Sequence, residues 1–316
     1  MIRPMFALAA VAGSMIFVVG LGGCETNAAT GRSQLQYFSR DQEIALGVQS
    51  MPEMVQEFGG KVADPALQAY VTNIGRQLAS VTEGENPSLP WEFTFLNSDV
   101  INAFALPGGK VFVTRGLVKQ MTNEAQLAHV MGHEVGHVTA RHQNDRASRS
   151  AGAEVLAGLA GAAAESDLVA QIAGQGAGLW LLKYSREQES EADALGMRYM
   201  AKINYDPAAA IEVMDILIKA SAGGKQPEIL ATHPDPELRK QHVTSLVQTD
   251  FKSTQNNPKY QKYADRFRGA MLAKLAALPP AEGAVGIDGR SIVLSDPTTW
   301  CAHCAAAAAA ERAAQQ

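Results

Sequence analysis

The sequence carries no block of basic residues. Its 316 residues hold 27 Lys and Arg against 32 Asp and Glu, a formal net charge of -5, which excludes nucleic acid as a partner. It carries no internal repeat, which excludes a solenoid array. Past the first 21 residues no apolar run is long enough to span a bilayer: Leu168 to Leu182 is too short and too rich in Gly. That run reads as a buried or lid-like helical hairpin, with a membrane-contacting face as the alternative. There are three cysteines. Two form Cys301-Ala302-His303-Cys304, which fails as a haem attachment because the His precedes the second Cys. No further ligands for a second metal stand nearby, and a local disulfide is the chemistry left open to the pair. What remains is ordinary globular composition, 47% hydrophobic and 19% charged, with length for one large domain plus an extension.

The third cysteine closes an apolar start. Met5 to Leu21 is almost wholly apolar and leads into Leu21-Gly22-Gly23-Cys24. This is the pattern of a bacterial lipoprotein signal: residues 1–23 are expected to be removed and Cys24 to carry the lipids that anchor the chain. A signal anchor left as a transmembrane helix is the alternative. Glu25 is not the Asp associated with inner-membrane retention, which favours the periplasmic face of the outer membrane. Residues 24–40 are polar and read as a tether.

Helical spacing begins at Asp41 (Ile44, Val48, Met51, Val55) and recurs from Pro65 (Leu67, Val71, Ile74, Leu78), with Asp64 as N-cap before a proline at the first helical position. Residues 91–96, 101–105 and 111–114 read as strands, the last two joined by a turn at Leu106-Pro107-Gly108-Gly109-Lys110. Asn123, with Gln126 three positions on, opens a helix expected to run to about Arg146. Further helices are expected near 185–203, 208–220, 237–247 and 260–277. The fold class is therefore α+β, mainly helical, with a small sheet.

The helix from Asn123 carries His133-Glu134-Val135-Gly136-His137. Histidines at i and i+4 share one helix face and reach one metal ion, and the Glu beside the first faces a water on that metal. Zinc brings the pKa of such a water to about 7 and polarises a scissile carbonyl. Glu134 is the expected general base, passing the proton to the leaving amine. Val130, Met131, Val135 and Val138 bury the helix. Gly132 and Gly136 each cost about 1 kcal/mol inside it relative to Ala, a cost that close approach of another element would explain. His129 lies four residues before His133, but no Glu stands in position to serve that pair.

A catalytic zinc takes three protein ligands and an open position. The stretch from Ser185 to Asp193 offers Glu187, Glu189 and Glu191. Glu189 shares a face with Ala192, Asp193 and Gly196, and that face is small enough to press on the His133 helix. Asp193 is then placed to accept a hydrogen bond from the far nitrogen of a ligand His. Glu187 and Glu191 lie on a more solvent-like face. A plain solvated charged face is the competing reading.

Five segments in order resemble the HtpX and CAAX-prenyl-protease family of gluzincin metallopeptidases. They are Thr30-Gly31-Arg32 with Gln42 to Gly47, Asn102 to Gly109, His133 to His137, Ser185-Arg186 with Glu189, Ala192 and Asp193, and His233-Pro234 with Arg239. The first is similar to the BepA-like and LoiP-like periplasmic lipoprotein branch. The resemblance covers about residues 30–245. It implies a zincin-type domain over residues 41–250 with one Zn2+ per chain, Glu189 as third ligand and Asp193 behind it. It also implies pairing of an extended substrate on the strand near 110–114.

His233 has three readings: a displaceable fourth zinc ligand, an oxyanion stabiliser beside Arg239, or a loop histidine before a proline turn. His142 and His242 read as surface or local packing residues. The expected activity is a zinc-dependent endopeptidase of the cell envelope that cuts extended or misfolded proteins. The alternative is an outer-membrane assembly helper with a silent metal site. An aminopeptidase is disfavoured by the lack of a substrate-amine motif. Residues 251–316 are expected to be an extension without a readable role.

Overall fold

The computed structural model describes residues 24–148, 183–222 and 227–281. The signal segment, the Leu168 to Leu182 run and the cysteines Cys301 and Cys304 lie outside the described residues. The fold is mainly helical with one three-stranded sheet, as expected.

A short hairpin, β1 (Cys24–Thr26) with β2 (Ser33–Leu35), opens the described chain. It is followed by α1 (Arg40–Glu57) and α2 (Pro65–Ser80). The Asp64 carboxylate caps α2 by accepting from the amides of Ala66 and Leu67, a cap that contributes about 1 kcal/mol. The strands β3 (Glu92–Leu96), β4 (Ala103–Leu106) and β5 (Lys110–Thr114) form a sheet in the order β3-β5-β4. β3 runs parallel to β5 and β4 antiparallel to it. The turn from β4 to β5 uses Gly108 (φ 71°) and Gly109 (φ 91°). A β-carbon on Gly108 would stand 2.5 Å from Ile44 Cα, and one on Gly47 2.0 Å from Pro107 O. Backbone therefore lies directly on backbone where the turn meets α1.

After α3 (Arg115–Val118) comes α4 (Glu124–Thr139), buried along its whole length. Asn123 and Gln126 close its start as a reciprocal capping box. The helices α5 (Arg186–Lys202), α6 (Ala209–Ser221), α7 (Ile229–Thr232) and α8 (Pro236–Gln248) follow. Then α9 (Ala264–Phe267) passes through a π turn into α10 (Ala273–Ala277).

Four expectations need correction. The helix bearing His133 does not continue to Arg146: it ends at Thr139, Arg141 turns left-handed (φ 55°), and residues 142–148 start a new helical run. The break is held from outside, since the Arg141 guanidinium donates to Phe38 O at 2.8 Å and to Glu43 at 3.2 Å. Residues 24–40 are not a loose tether: Asn27 Nδ2 donates to Thr139 O at 2.9 Å and Gln34 Nε2 to Ala140 O at 3.0 Å, fixing the hairpin on the end of α4. The stretch after 250 does not stand apart either: Phe267, Met271 and Leu275 sit in the main core, and the amide of Glu124 donates to Lys262 O at 3.0 Å. Finally, β5 is the central strand with partners on both sides, so it has no free edge for a substrate; β4 is the edge strand on the α4 side.

Candidate metal centre

Two helices cross at the centre, and glycine lets them. A β-carbon on Gly132 would meet Gly196 Cα at 3.2 Å, and one on Gly136 would meet Ala192 O at 2.9 Å. The small face of α5 is thus pressed onto α4 backbone to backbone, and Glu189 and Asp193 on that face reach the histidines.

His133, His137, Glu189 and His233 converge, each buried, with one donor atom from each within 4.8 Å of the others. His137 Nε2 lies 3.0 Å from His133 Nε2 and 3.4 Å from Glu189 Oε1. His133 Nε2 lies 3.6 Å from Glu189 Oε2. His233 Nδ1 lies 3.3 Å from His133 Nε2 and 3.0 Å from Glu189 Oε1. Donors around a tetrahedral zinc, at bond lengths of about 2.0–2.1 Å, stand about 3.3 Å apart, so this three-nitrogen, one-carboxylate set fits that ion. Among the described residues no other such cluster occurs.

Behind the donors, the Asp193 carboxylate lies 2.8 Å from His133 Nδ1. Arg239 holds it by a fork, Nε to Oδ2 at 2.9 Å and Nη2 to Oδ1 at 2.6 Å, and sets Nη1 2.8 Å from Glu189. Burial alone would push both carboxyls up, but Arg239 with the neighbouring histidines holds Glu189 and Asp193 well below the usual range. Burial pushes His137 far down, which keeps it neutral, the form a metal needs. His233 is drawn the other way: burial opposes its protonation, but Glu189 and Glu134 outweigh that.

Glu134 is 1% exposed, and neither of its carboxylate oxygens has a hydrogen-bond partner among the described residues. Its nearest charged neighbour is His233 Nε2 at 3.5 Å. Burial raises its pKa. An unpartnered buried carboxylate is costly, and its place beside the donor cluster is where a general base is required.

Several residues were not read as part of the site. His142, read as a surface or local packing residue, is fully buried with its Nδ1 2.8 Å from His137 Nδ1. Tyr184 stacks on the His137 ring at 3.8 Å and 22°, and its amide donates to Thr232 O at 2.9 Å, tying it to the segment that carries His233. The Arg146 guanidinium covers the Tyr184 ring at 4.0 Å. His129 stands outside the cluster, 3.7 Å from Asp193, and burial pushes it down to about 3. His242 Nε2 donates to the Ser190 carbonyl oxygen at 3.2 Å, away from the donors.

Residues 65–247 match the model of Peptidase family M48. The β-barrel assembly-enhancing protease of Escherichia coli K12 is 34% identical over 190 residues, 56% of this chain and 38% of that protein. The mitochondrial metalloendopeptidase OMA1 of Schizosaccharomyces pombe is 30% identical over 213 residues, 66% of this chain and 62% of that protein. The mitochondrial OMA1 metalloendopeptidase of Bos taurus is 27% identical over 250 residues, 71% of this chain and 46% of that protein. The chain thus spans 38% of the length of the bacterial relative and 62% of the yeast one. With the family model covering more than half of it, and with His133, Glu134, His137 and Glu189 gathered as described, the chain belongs to peptidase family M48.

Proposed function

We propose that the protein is a zinc-dependent endopeptidase of the bacterial cell envelope that cleaves extended or misfolded polypeptides. The observation that carries this reading is the unpartnered Glu134 carboxylate beside a four-donor cluster. A structural zinc has no use for a general base and takes four closed ligands. His133, His137 and Glu189 are the proposed protein ligands. A zinc ion there supplies Lewis-acid polarisation of a scissile carbonyl and an activated water. Glu134, its pKa raised by burial, takes the proton of the attacking water and delivers it to the leaving amine. Asp193 and Arg239 hold His133 and Glu189 in place.

An extended substrate is proposed to pair with β4, the edge strand. The carbonyl of Ala105 on β4 faces Gln143 Nε2 at 3.4 Å, a contact that substrate backbone would replace. Anchoring through a lipidated Cys24, after removal of residues 1–23, is proposed to keep the protein on the periplasmic face of the outer membrane. Among the described residues no helix is long and apolar enough to cross a membrane.

A second reading is favoured by one observation: His233 Nδ1 occupies the fourth corner of the donor set. With that corner closed the resting protein is latent, an assembly helper whose proteolysis starts when His233 leaves.

The test is zinc content with casein cleavage, for the purified protein and its Glu134→Gln variant. One zinc in both and cleavage by the unmodified protein alone supports the endopeptidase. Zinc in both with cleavage by neither favours the latent reading. Absence of zinc from both overturns the site.

A further inference from the structure

Each of the two proposed helix-borne ligand histidines has a chain of partners on its far nitrogen. For His133 the chain is Asp193 and then Arg239. For His137 it is longer and starts at the N-terminal hairpin. His137 Nδ1 lies 2.8 Å from His142 Nδ1, His142 Nε2 lies 2.9 Å from Glu191 Oε2, and the same oxygen takes a salt bridge from Arg32 Nη2. The hairpin turn that carries Arg32 is itself fixed. Asn27 Oδ1 accepts from the amides of Ala29 and Thr30, the Arg32 amide donates to Thr30 Oγ1 at 3.2 Å, and Gly31 turns left-handed (φ 70°). Arg198 Nη2 donates to Ala29 O at 2.9 Å, pinning the turn to α5, the helix that bears Glu191.

We propose that Arg32, Glu191 and His142 form a positioning relay that fixes the tautomer and orientation of His137, so that the N-terminal hairpin helps to build the metal site. The inference rests on His137 being a zinc ligand. One proton arrangement satisfies every link. A ligating His137 keeps the Nε2 lone pair for the metal, so its proton sits on Nδ1 and is donated to the bare Nδ1 of His142. His142 then carries its proton on Nε2 and donates it to Glu191. Glu191, with no proton to give, is held by Arg32. The opposite tautomer of His142 would set two N–H groups against each other at 2.8 Å and leave the Glu191 carboxylate without its donor. The relay therefore selects the His137 form that exposes Nε2, as Asp193 does for His133. Partners of this kind change metal affinity by roughly 10–100-fold when removed. The hairpin starts at Cys24 itself, so the relay's outer residue, Arg32, stands eight residues from the proposed anchor.

The experiment measures zinc affinity by chelator competition, and the cobalt visible spectrum, on the full chain and its Arg32→Ala, Glu191→Gln, His142→Ala and Arg32→Ala/His142→Ala variants. Metal-free melting of each is recorded beside them. The expected result is a fall of roughly 10–100-fold for His142→Ala, smaller falls for Glu191→Gln and Arg32→Ala, and a shifted cobalt spectrum in all. The double variant should be no weaker than His142→Ala alone, because Arg32 acts only through His142. If His142→Ala does not fold, Glu191→Gln and Arg32→Ala, at the half-exposed end, decide the matter by the same two readouts. Unchanged affinity and spectrum in the folded variants overturn the relay. Losses for Arg32→Ala and His142→Ala that simply multiply in the double variant overturn the part of the hairpin. Failure of the unmodified chain to bind zinc or cobalt is a different result and overturns the metal site itself.

Discussion

Gly196 lies so close to His133 that a β-carbon on it would stand 2.7 Å from the His133 amide nitrogen. The obstacle is helix backbone, which has no rotamer to change. Gly196→Ala must therefore push α5 away from α4, and overpacking of this kind costs about 1–3 kcal/mol. The same shift draws Glu189 and Asp193 away from the histidines. The expected outcome is a lower melting temperature together with a loss of zinc affinity, both read on one purified variant. A variant that melts lower yet binds zinc with full affinity would show that the helix spacing is not what sets the donors.

Arg239 carries a second prediction. Its guanidinium faces Asp193 and Glu189, both essentially buried. Arg239→Met leaves two buried carboxylates without their cation, and breaking a buried pair in this way costs about 3–5 kcal/mol. Zinc is the only other cation proposed for that site, so the loss is expected to be largest in metal-free protein and smaller in zinc-loaded protein. Thermal unfolding with and without zinc measures both. An equal loss in the two states would argue that Glu189 does not face the metal.

Much of this centre can be read from the residues alone. The i, i+4 histidines, the small face of α5 and the internal glycines of α4 follow from helical period, and the close approach that explains those glycines is where it was expected. What escapes the period is anything that depends on a break in it. On a continuous helix His142 would stand about 500° round from His137, roughly 140° away, and could not meet it. The left-handed Arg141 brings it back, but the partners that hold Arg141 there, Phe38 and Glu43, are about 100 residues distant in sequence. Glu191 was assigned to a solvent-like face because its partner Arg32 belongs to a segment with no periodic signal. The edge strand was misplaced for a related reason: strand order is set by pairing across the sheet, and β3, β4 and β5 are each legible as strands without revealing which one sits in the middle.

Glu57 offers a test away from the metal. It closes α1 one turn after Glu53, and its carboxyl is pushed up to about 7 by burial and then by Glu53. An unfolded carboxyl titrates near 4.5, so the folded chain holds this proton more tightly. The contribution is complete below pH 4.5 and is lost as pH rises through about 7, where the fold must keep a buried charge at the negative end of a helix. Glu57→Gln removes that loss. The variant should melt higher at pH 8, by the equivalent of up to about 3 kcal/mol for the shift from 4.5 to about 7, and differ little from the unmodified protein at pH 4.5. Parallel melting curves across that range would remove the assignment.

The latent reading turns on His233. Its Nδ1 sits among the donors while its Nε2 faces Glu134 at 3.5 Å, so one ring takes both the fourth corner and the space beside the general base. A substrate carbonyl and its attacking water need both places. His233 follows a four-residue helix, α7, and precedes Asp235, which is left-handed (φ 58°). The segment is held to the site through Tyr184, by the bond to Thr232 O and by ring contact at 5.1 Å. If His233 is a plug, His233→Ala raises basal casein cleavage several-fold while zinc affinity falls only modestly, since three ligands remain. If His233 stabilises the developing oxyanion instead, the same variant keeps its zinc and loses activity by roughly 10²–10³-fold. The two roles thus move activity in opposite directions at equal zinc content, and a single cleavage assay on one zinc-loaded variant separates them.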